Sequence, residues 1–233
     1  MRAEFMSSVT HELKTPIASI QAMAETLSRG RLRDPRAQRE YAAMVMQEAK
    51  KLERLVNNVL AYSRLTDVAN VYAVEPLDID DVMEACLARF NRQLHQEHYA
   101  VAVDIPADIP SIVADRAAME LLFDNLIDNS IRHSGATKEI RVTVESRDGH
   151  VCVEIADRGI GVAPEDLDCV PHKFVRGRNA PAGGSGLGLA IVARIVNDHH
   201  GSFTIESSLG RGTTVRVVLP AASEERGDAR QTP

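Results

Sequence analysis

Helical periodicity runs unbroken through two long stretches at the start of the chain, then gives way near residue 70 to short segments with the alternation of β-strands. The first stretch spans Arg2 to about Arg29 and the second about Ala37 to Thr66, with the polar turn RGRLRDPR between them. In the first, Val9, Leu13, Ile17, Ile20, Ala24 and Leu27 recur at fours and threes. At roughly 100° per residue they fall within about 80° of one another. In the second, Tyr41, Val45, Leu52, Leu55, Val59 and Tyr62 make a seam whose one polar member is Glu48. Two helices cannot enclose such a seam and four can, so a homodimer that builds a four-helix bundle is expected. The competing arrangement packs the hairpin on its own C-terminal domain.

Beyond DVANVYAVEP the period changes. DIDDVMEACLARFNRQL reads as a helix, YAVAVDIP as a strand, and DRAAMELLFDNLIDNSIRH as a helix. KEIRVTVES and HVCVEIAD alternate on either side of a turn at Asp148 and Gly149, and the helix GLGLAIVARIVNDHH precedes the strands SFTIESS and TTVRVVLP. That order predicts an α/β sandwich, one mixed sheet with helices on one face, and an α+β chain overall. The expected divisions are 1–69, 70–220 and a polar, disordered tail at 221–233.

With 233 residues and 44% hydrophobic content the chain is globular, and with no Trp and 4% aromatics its core is largely aliphatic. A formal net charge of -6 argues against nucleic acid, whose phosphates call for clustered positive charge. Cys86, Cys152 and Cys169 are odd in number and outside any CxxC spacing, which suits free thiols in a reducing, cytoplasmic compartment. No apolar run approaches the ~18 residues of a membrane span and no signal peptide is read, so this segment is expected to make no membrane contact. The first helix begins without a cap of its own, as a piece excised from something longer would.

Several positions have the pattern of a site. His11 lies nearly opposite the apolar arc of its helix and Thr15 shares that face, with Glu12 beside it and Pro16 one turn on. A solvated histidine is the plain alternative. In the helix from Asp115, Leu122, Phe123, Leu126 and Ile127 face one way, and Asn125, Asn129 and Arg132 line another. Asparagine is a poor helix former, so two on one face mark a cap or a polar site, and neutral amide oxygens suit a hard cation such as Mg²⁺ beside phosphates; two solvated amides are the alternative. In ADRGIG a strand ends in Asp157, followed by Gly159 and Gly161. This is either a turn or a carboxylate that accepts from an exocyclic amine, with glycines to admit a flat ring. GGSGLGLAIV sets Gly183, Gly184, Gly186 and Gly188 at a helix entrance, where free N–H groups favour phosphate, although neither a P-loop nor a complete GxGxxG is present. Between these glycine segments Val162 to Ala182, with Lys173, Arg176 and Arg178, has the length and polarity of a ligand lid. GRGTT turns into the last strand.

Taken in order, these segments resemble the catalytic core of a sensor histidine kinase. SSVTHELKTP is similar to that family's H box, DNLIDNSIRH to its N box, DRGIG, GGSGLGL and GRGTT to its glycine boxes, and the match reaches Pro220. The resemblance implies a dimerisation and histidine phosphotransfer hairpin followed by the ATP-binding fold shared with gyrase and MutL. It makes His11 the nucleophile on the γ-phosphate of ATP, with Glu12 on the other ring nitrogen. Asn129 becomes an Mg²⁺ ligand, with Asn125 and Arg132 on the same nucleotide face. Asp157 reads the adenine amine, and Gly159 and Gly161 give the ring room. Gly184, Gly186, Leu187 and Gly188 wrap the phosphates, and Arg176 offsets charge on the transferred group. Glu12 to Thr15 has the E-x-x-T form of bifunctional members, which assigns Thr15 to dephosphorylation of the partner, the receiver domain of a response regulator. It also admits that the segment is the cytoplasmic portion of an inner-membrane sensor whose full length is membrane-anchored. Arg132 stands where the N box usually has lysine, His133 where an aromatic is frequent, and Pro171 in VPHKFVRG where the lid's first Phe normally falls, although Phe174 and Arg176 are kept. The competing functions are a degenerate dimeric scaffold that binds a response regulator, and an ATPase with water as acceptor.

Overall fold

A computed structural model describes residues 2–30, 32, 34–65, 72–167, 169–170 and 186–222; at 2–8, 11–12, 61–62 and 64–65 it is the backbone alone. The described residues group into two compact units. The first contains the hairpin of α1 (Arg2–Ser28) and α2 (Pro35–Leu65). Both ends of its turn have local causes. Gly30, at φ +61°, takes the left-handed conformation that ends α1, and its N–H donates to the Leu27 carbonyl (3.1 Å). Asp34 accepts from Arg36 N–H (2.9 Å) just ahead of α2, and Pro35 fits the first helical position because its missing N–H would have had no partner there.

Within the hairpin the buried line on α1 is Val9, Pro16 and Met23, spaced by sevens, against a side of α2 that includes Leu55. This differs from the arc expected from sequence. Ile17 and Ala24, which belong to that arc, are exposed, because one neighbouring helix covers only one edge of an apolar arc wider than itself. Glu48, the polar member of the α2 seam, is held by Lys51 Nζ at 2.5 Å.

The second unit carries a five-stranded sheet in the order β2 (Ala100–Asp104), β4 (Glu139–Arg147), β5 (His150–Asp157), β7 (Gly212–Pro220), β6 (Ser202–Ser208). The β2–β4 pair is parallel and the others antiparallel, so the sheet is mixed as expected. Asp148 and Gly149 both have positive φ (51° and 72°), the conformation of a two-residue hairpin turn whose twist matches the strands. Alternation puts Ile140, Val142, Val153, Ile155, Val215 and Val217 on one buried face. Helices α3 (Ile79–Gln96) and α4 (Arg116–His133) and the second half of α6 (Gly188–Asp198) bury Met83, Leu122, Phe123, Ile127, Ile195 and Val196. A short helix, α5 (Pro164–Leu167), lies within the stretch read from sequence as an unstructured polar lid. Also unforeseen is a two-stranded antiparallel sheet of β1 (Val74–Leu77) and β3 (Ile112–Asp115), which follows the hairpin and leads directly into α4. All three cysteines are free thiols. Among the described residues no helix is long and apolar enough to cross a membrane.

Candidate functional site

The site is built where β5, β7 and the end of α4 meet. Asp115 caps α4, its Oδ1 accepting from Ala118 N–H (2.8 Å), and this sets the register of the whole helix. Phe123, Leu126 and Ile127 then turn into the core, and Asn125, Asn129 and Arg132 fall on a neighbouring face. Asn125 is only 8% exposed and its Nδ2 donates to the Leu121 carbonyl (2.7 Å), so it is not a solvated amide. Asn129 is half-buried, and its side-chain amide has no partner among the described residues. Arg132 is drawn to Asp128 on its own helix (2.6 Å).

Asp157, at the end of β5, has the same inward orientation as Val153 and Ile155. Its Oδ1 accepts two backbone N–H groups, from Gly159 at 2.8 Å and from Thr213 at 3.2 Å. Its Oδ2 has no partner among the described residues. Burial pushes the Asp157 carboxyl above the usual carboxylate range, and the two N–H bonds oppose that shift by favouring the anion. The result is a desolvated carboxylate with one oxygen committed to the protein and one left to accept.

The glycines around it are required by protein backbone. A Cβ on Gly159 would come within 2.2 Å of the His133 carbonyl oxygen, which already accepts from Ile160 N–H (2.9 Å). Gly161 has φ +68°, and a Cβ there would meet the Ser208 carbonyl at 2.0 Å. Gly212, at φ +101°, would meet the Asp157 carbonyl at 1.9 Å. These approaches lock the segment after Asp157 between the end of α4 and the β6–β7 turn. They account for the glycines without reference to any ring, the reason that sequence alone suggested for two of them.

Of the second glycine box, Gly186 is left-handed (φ +61°), Leu187 is buried and Gly188 opens α6. Gly183, Gly184 and Arg176 lie outside the described residues. His11 and Glu12 are described by backbone alone, as part of α1, and Thr15 is exposed one turn on. Asn125, Asn129, Asp157, Gly159 and Gly161 all lie in the second unit, where the end of α4 meets the segment after Asp157 through the Ser134–Gly159 bridge and the Ile160 N–H bond to the His133 carbonyl. Nothing in the sequence marked Thr213 as the residue whose N–H holds Asp157 Oδ1, or Gly212 as the one that packs on the Asp157 carbonyl. GRGTT was legible as a turn into a strand, but its pairing with β5 was not.

Comparison with known proteins agrees with this arrangement. Residues 1–67 match the family model "His Kinase A (phospho-acceptor) domain", and residues 114–223 match "Histidine kinase-, DNA gyrase B-, and HSP90-like ATPase". Sensor-like histidine kinase SenX3 of Mycobacterium tuberculosis (strain ATCC 25618 / H37Rv) is 31% identical over 230 residues, which are 97% of this chain and 56% of SenX3. The chain therefore spans a little over half the length of this relative. Among solved structures, full-length ShkA in complex with AMPPNP is 28% identical with a TM-score of 0.67, over 94% of this chain and 46% of that one. Histidine kinase ThkA in complex with response regulator protein TrrA shares the fold, with a TM-score of 0.75 at 22% identity over 96% of this chain and 63% of that one.

Proposed function

The chain belongs to the sensor histidine kinases, and we propose that it is the part of such a kinase that phosphorylates itself on His11 from ATP and passes the phosphoryl group to an aspartate of a response regulator. The observation that carries the nucleotide half is the Asp157 carboxylate, held through one oxygen by Gly159 and Thr213 and leaving the other to accept from the adenine amine. ShkA, a relative by sequence and structure, holds AMPPNP, which supports the same use of the domain here.

In this reading the neutral Nε2 of His11 donates its lone pair to the γ-phosphorus in line with the β,γ-bridging oxygen. The P–N bond forms as that P–O bond breaks, ADP leaves, and Glu12 takes the proton of the other ring nitrogen. By the family resemblance Gly184, Gly186, Leu187 and Gly188 would wrap the phosphates. Arg132 adds positive charge on the Asn125 face, and Arg176 offsets charge on the transferred group. The donor set suits Mg²⁺: among the described residues the half-buried Asn129 amide has no partner and the buried Asn125 commits only its Nδ2, to the Leu121 carbonyl, so both offer neutral amide oxygens beside phosphates. Asn129 would hold the ion, which when bound neutralises phosphate charge. Thr15 would position water against the acyl phosphate of the regulator.

The hairpin supports a homodimer. Ile17, Met44, Met46, Val56 and Leu60 are 40%, 49%, 60%, 40% and 51% exposed in the single chain, more large apolar surface than two helices commonly leave to water. A second copy would cover it in a four-helix bundle. The interaction with a response regulator rests on the family and on the ThkA–TrrA complex. The domain limits proposed are 1–69 for the phosphoacceptor hairpin and 70–220 for the ATP-binding domain, with 221–233 a tail, and a cytoplasmic location is part of the same proposal. The test is the His11→Gln variant. It should lose all labelling by γ-labelled ATP and keep its nucleotide affinity; retained labelling overturns the assignment.

A further inference from the structure

We propose that Ser207 is a positioning residue for adenine recognition, acting on Asp157 through Thr213 and Val162; the proposal rests on the nucleotide-site reading above. Asp157, Thr213 and Ser207 lie side by side across β5, β7 and β6. Ser207 pairs with Thr213, and the β5–β7 register, which pairs Ala156 with Thr214, sets Asp157 opposite Thr213. Two residues back along the same face the row is Ile155, Val215 and Ile205. The polar row therefore ends the apolar, helix-covered face of the sheet at the point where the glycine segments leave it.

The hydrogen bonds in this row have a fixed direction. Ser207 Oγ lies 2.9 Å from the Gly212 carbonyl oxygen, 2.9 Å from Thr213 Oγ1 and 2.8 Å from the Val162 nitrogen. A hydroxyl has one proton and two lone pairs, and a carbonyl can only accept. The Ser207 proton therefore goes to Gly212, and Val162 N–H and the Thr213 hydroxyl both donate to Ser207. Every hydrogen-bonding position of Ser207 is filled.

Its three partners flank Asp157 on both sides. Val162 directly follows Gly161, so its bond anchors the exit of the segment whose Gly159 N–H holds Asp157 Oδ1. Gly212 and Thr213 are the start of β7, and Thr213 N–H makes the second bond to the same oxygen, at 3.2 Å the longer of the two. Ser207 also commits the Thr213 proton. A 6-amino purine can donate to the remaining oxygen of Asp157, whereas a 6-oxo purine meets it with an acceptor of its own. Loss of the Ser207 hydroxyl would release Val162 and Gly212, the anchors of the two segments whose N–H groups hold Asp157.

The test is calorimetric titration of the whole chain with ATP and with inosine triphosphate, each with Mg²⁺, in wild type, Ser207→Ala, Asp157→Asn and the double variant. Ser207→Ala should weaken ATP by ~5-fold, the worth of one ordinary hydrogen bond, and leave inosine triphosphate unchanged. In the Asp157→Asn background it should change neither. Unchanged inosine triphosphate affinity also shows that the variant is folded; if the alanine variant does not fold, Ser207→Cys, near in size and a weak hydrogen-bonding group, should shift the ratio in the same direction. An equal loss for both nucleotides, no loss for either, or a full additional loss on top of Asp157→Asn overturns the role of Ser207. Full ATP affinity in Asp157→Asn alone overturns instead the site on which the proposal rests.

Discussion

The hairpin and the sheet domain differ in where they keep their large apolar side chains. In the sheet domain Met119, Leu122, Phe123, Ile127, Ile140 and Val217 are withdrawn from water completely, in a core closed by its own helices and strands. Among the described side chains of the hairpin, Val9, Met23 and Leu55 are the large apolar ones that are buried, beside Pro16, while Met44, Met46 and Leu60 stand about half exposed. A closed core is what a ligand site needs, because the short backbone approaches around Asp157 depend on strands and α4 being fixed to one another. An open apolar face is what an assembly needs. In the function proposed above the two parts have different tasks, one to hold a small molecule and the other to meet another chain.

The largest effect that separates them is in core deletion. Phe123→Ala should destabilise the sheet domain by about 3–5 kcal/mol, read as a fall in the urea midpoint, because a fully buried ring leaves a cavity. A loss below about 1 kcal/mol would mean that the core is not closed as described.

Next in size is the ligand site. Asp157→Asn should weaken ATP by about 1.5–3 kcal/mol, the range for a hydrogen bond to a charged group. The same substitution should stabilise the nucleotide-free protein at neutral pH. Since burial raises the Asp157 carboxyl in the folded state, the folded chain binds a proton more readily than the unfolded one there. The stability due to this group is thus fully present below the unfolded pKa and is lost as pH rises through the higher folded one. Melting temperatures of wild type should accordingly fall, relative to Asp157→Asn, as pH climbs out of the ordinary carboxylate range. Parallel pH curves for the two proteins would remove the desolvated-carboxylate account.

Smaller still for stability, and decisive for the hairpin, is Leu60→Glu. In the monomer it should change stability by no more than about 0.5 kcal/mol, since the side chain is half exposed. In a dimer it buries a charge, so self-association by sedimentation should weaken strongly. Unchanged association would place the interface elsewhere or remove it. The smallest structural effect is expected from Thr15→Ala, on an exposed turn of α1. It should leave folding and autophosphorylation alone and slow the loss of acyl phosphate from a phosphorylated regulator in the presence of ADP. Equal rates with and without the hydroxyl would remove Thr15 from that step.

Legibility in the sequence followed the range of the interactions. The α4 helix, the turn at Asp148 and Gly149 and the alternation of β4, β5 and β7 are local patterns, and all were readable. The β1–β3 pair was not: it joins two four-residue strands, one containing Pro76, and their partners lie far apart in sequence. The line of α1 that meets α2 was displaced to Pro16 and Met23, since periodicity gives the width of an apolar arc and not which edge the nearest neighbour takes. At the site, Asp157 and its glycines were visible as a motif. The contacts that require those glycines were not, because they involve carbonyls of His133, Ser208 and Asp157 itself that only the folded sheet brings close. Ser207 gave no signal at all in ESSLG, since its role exists only across strands.

The central claim is that His11 receives the γ-phosphoryl group of an ATP read by Asp157. It is tested most directly by incubating the whole chain with γ-labelled ATP and Mg²⁺ and mapping the modified residue by mass spectrometry at neutral pH. The account predicts a single label on His11, stable to alkali and lost in acid, and much reduced at limiting ATP in Asp157→Asn. Label on another residue, or phosphate released to water with His11 never modified, would contradict it.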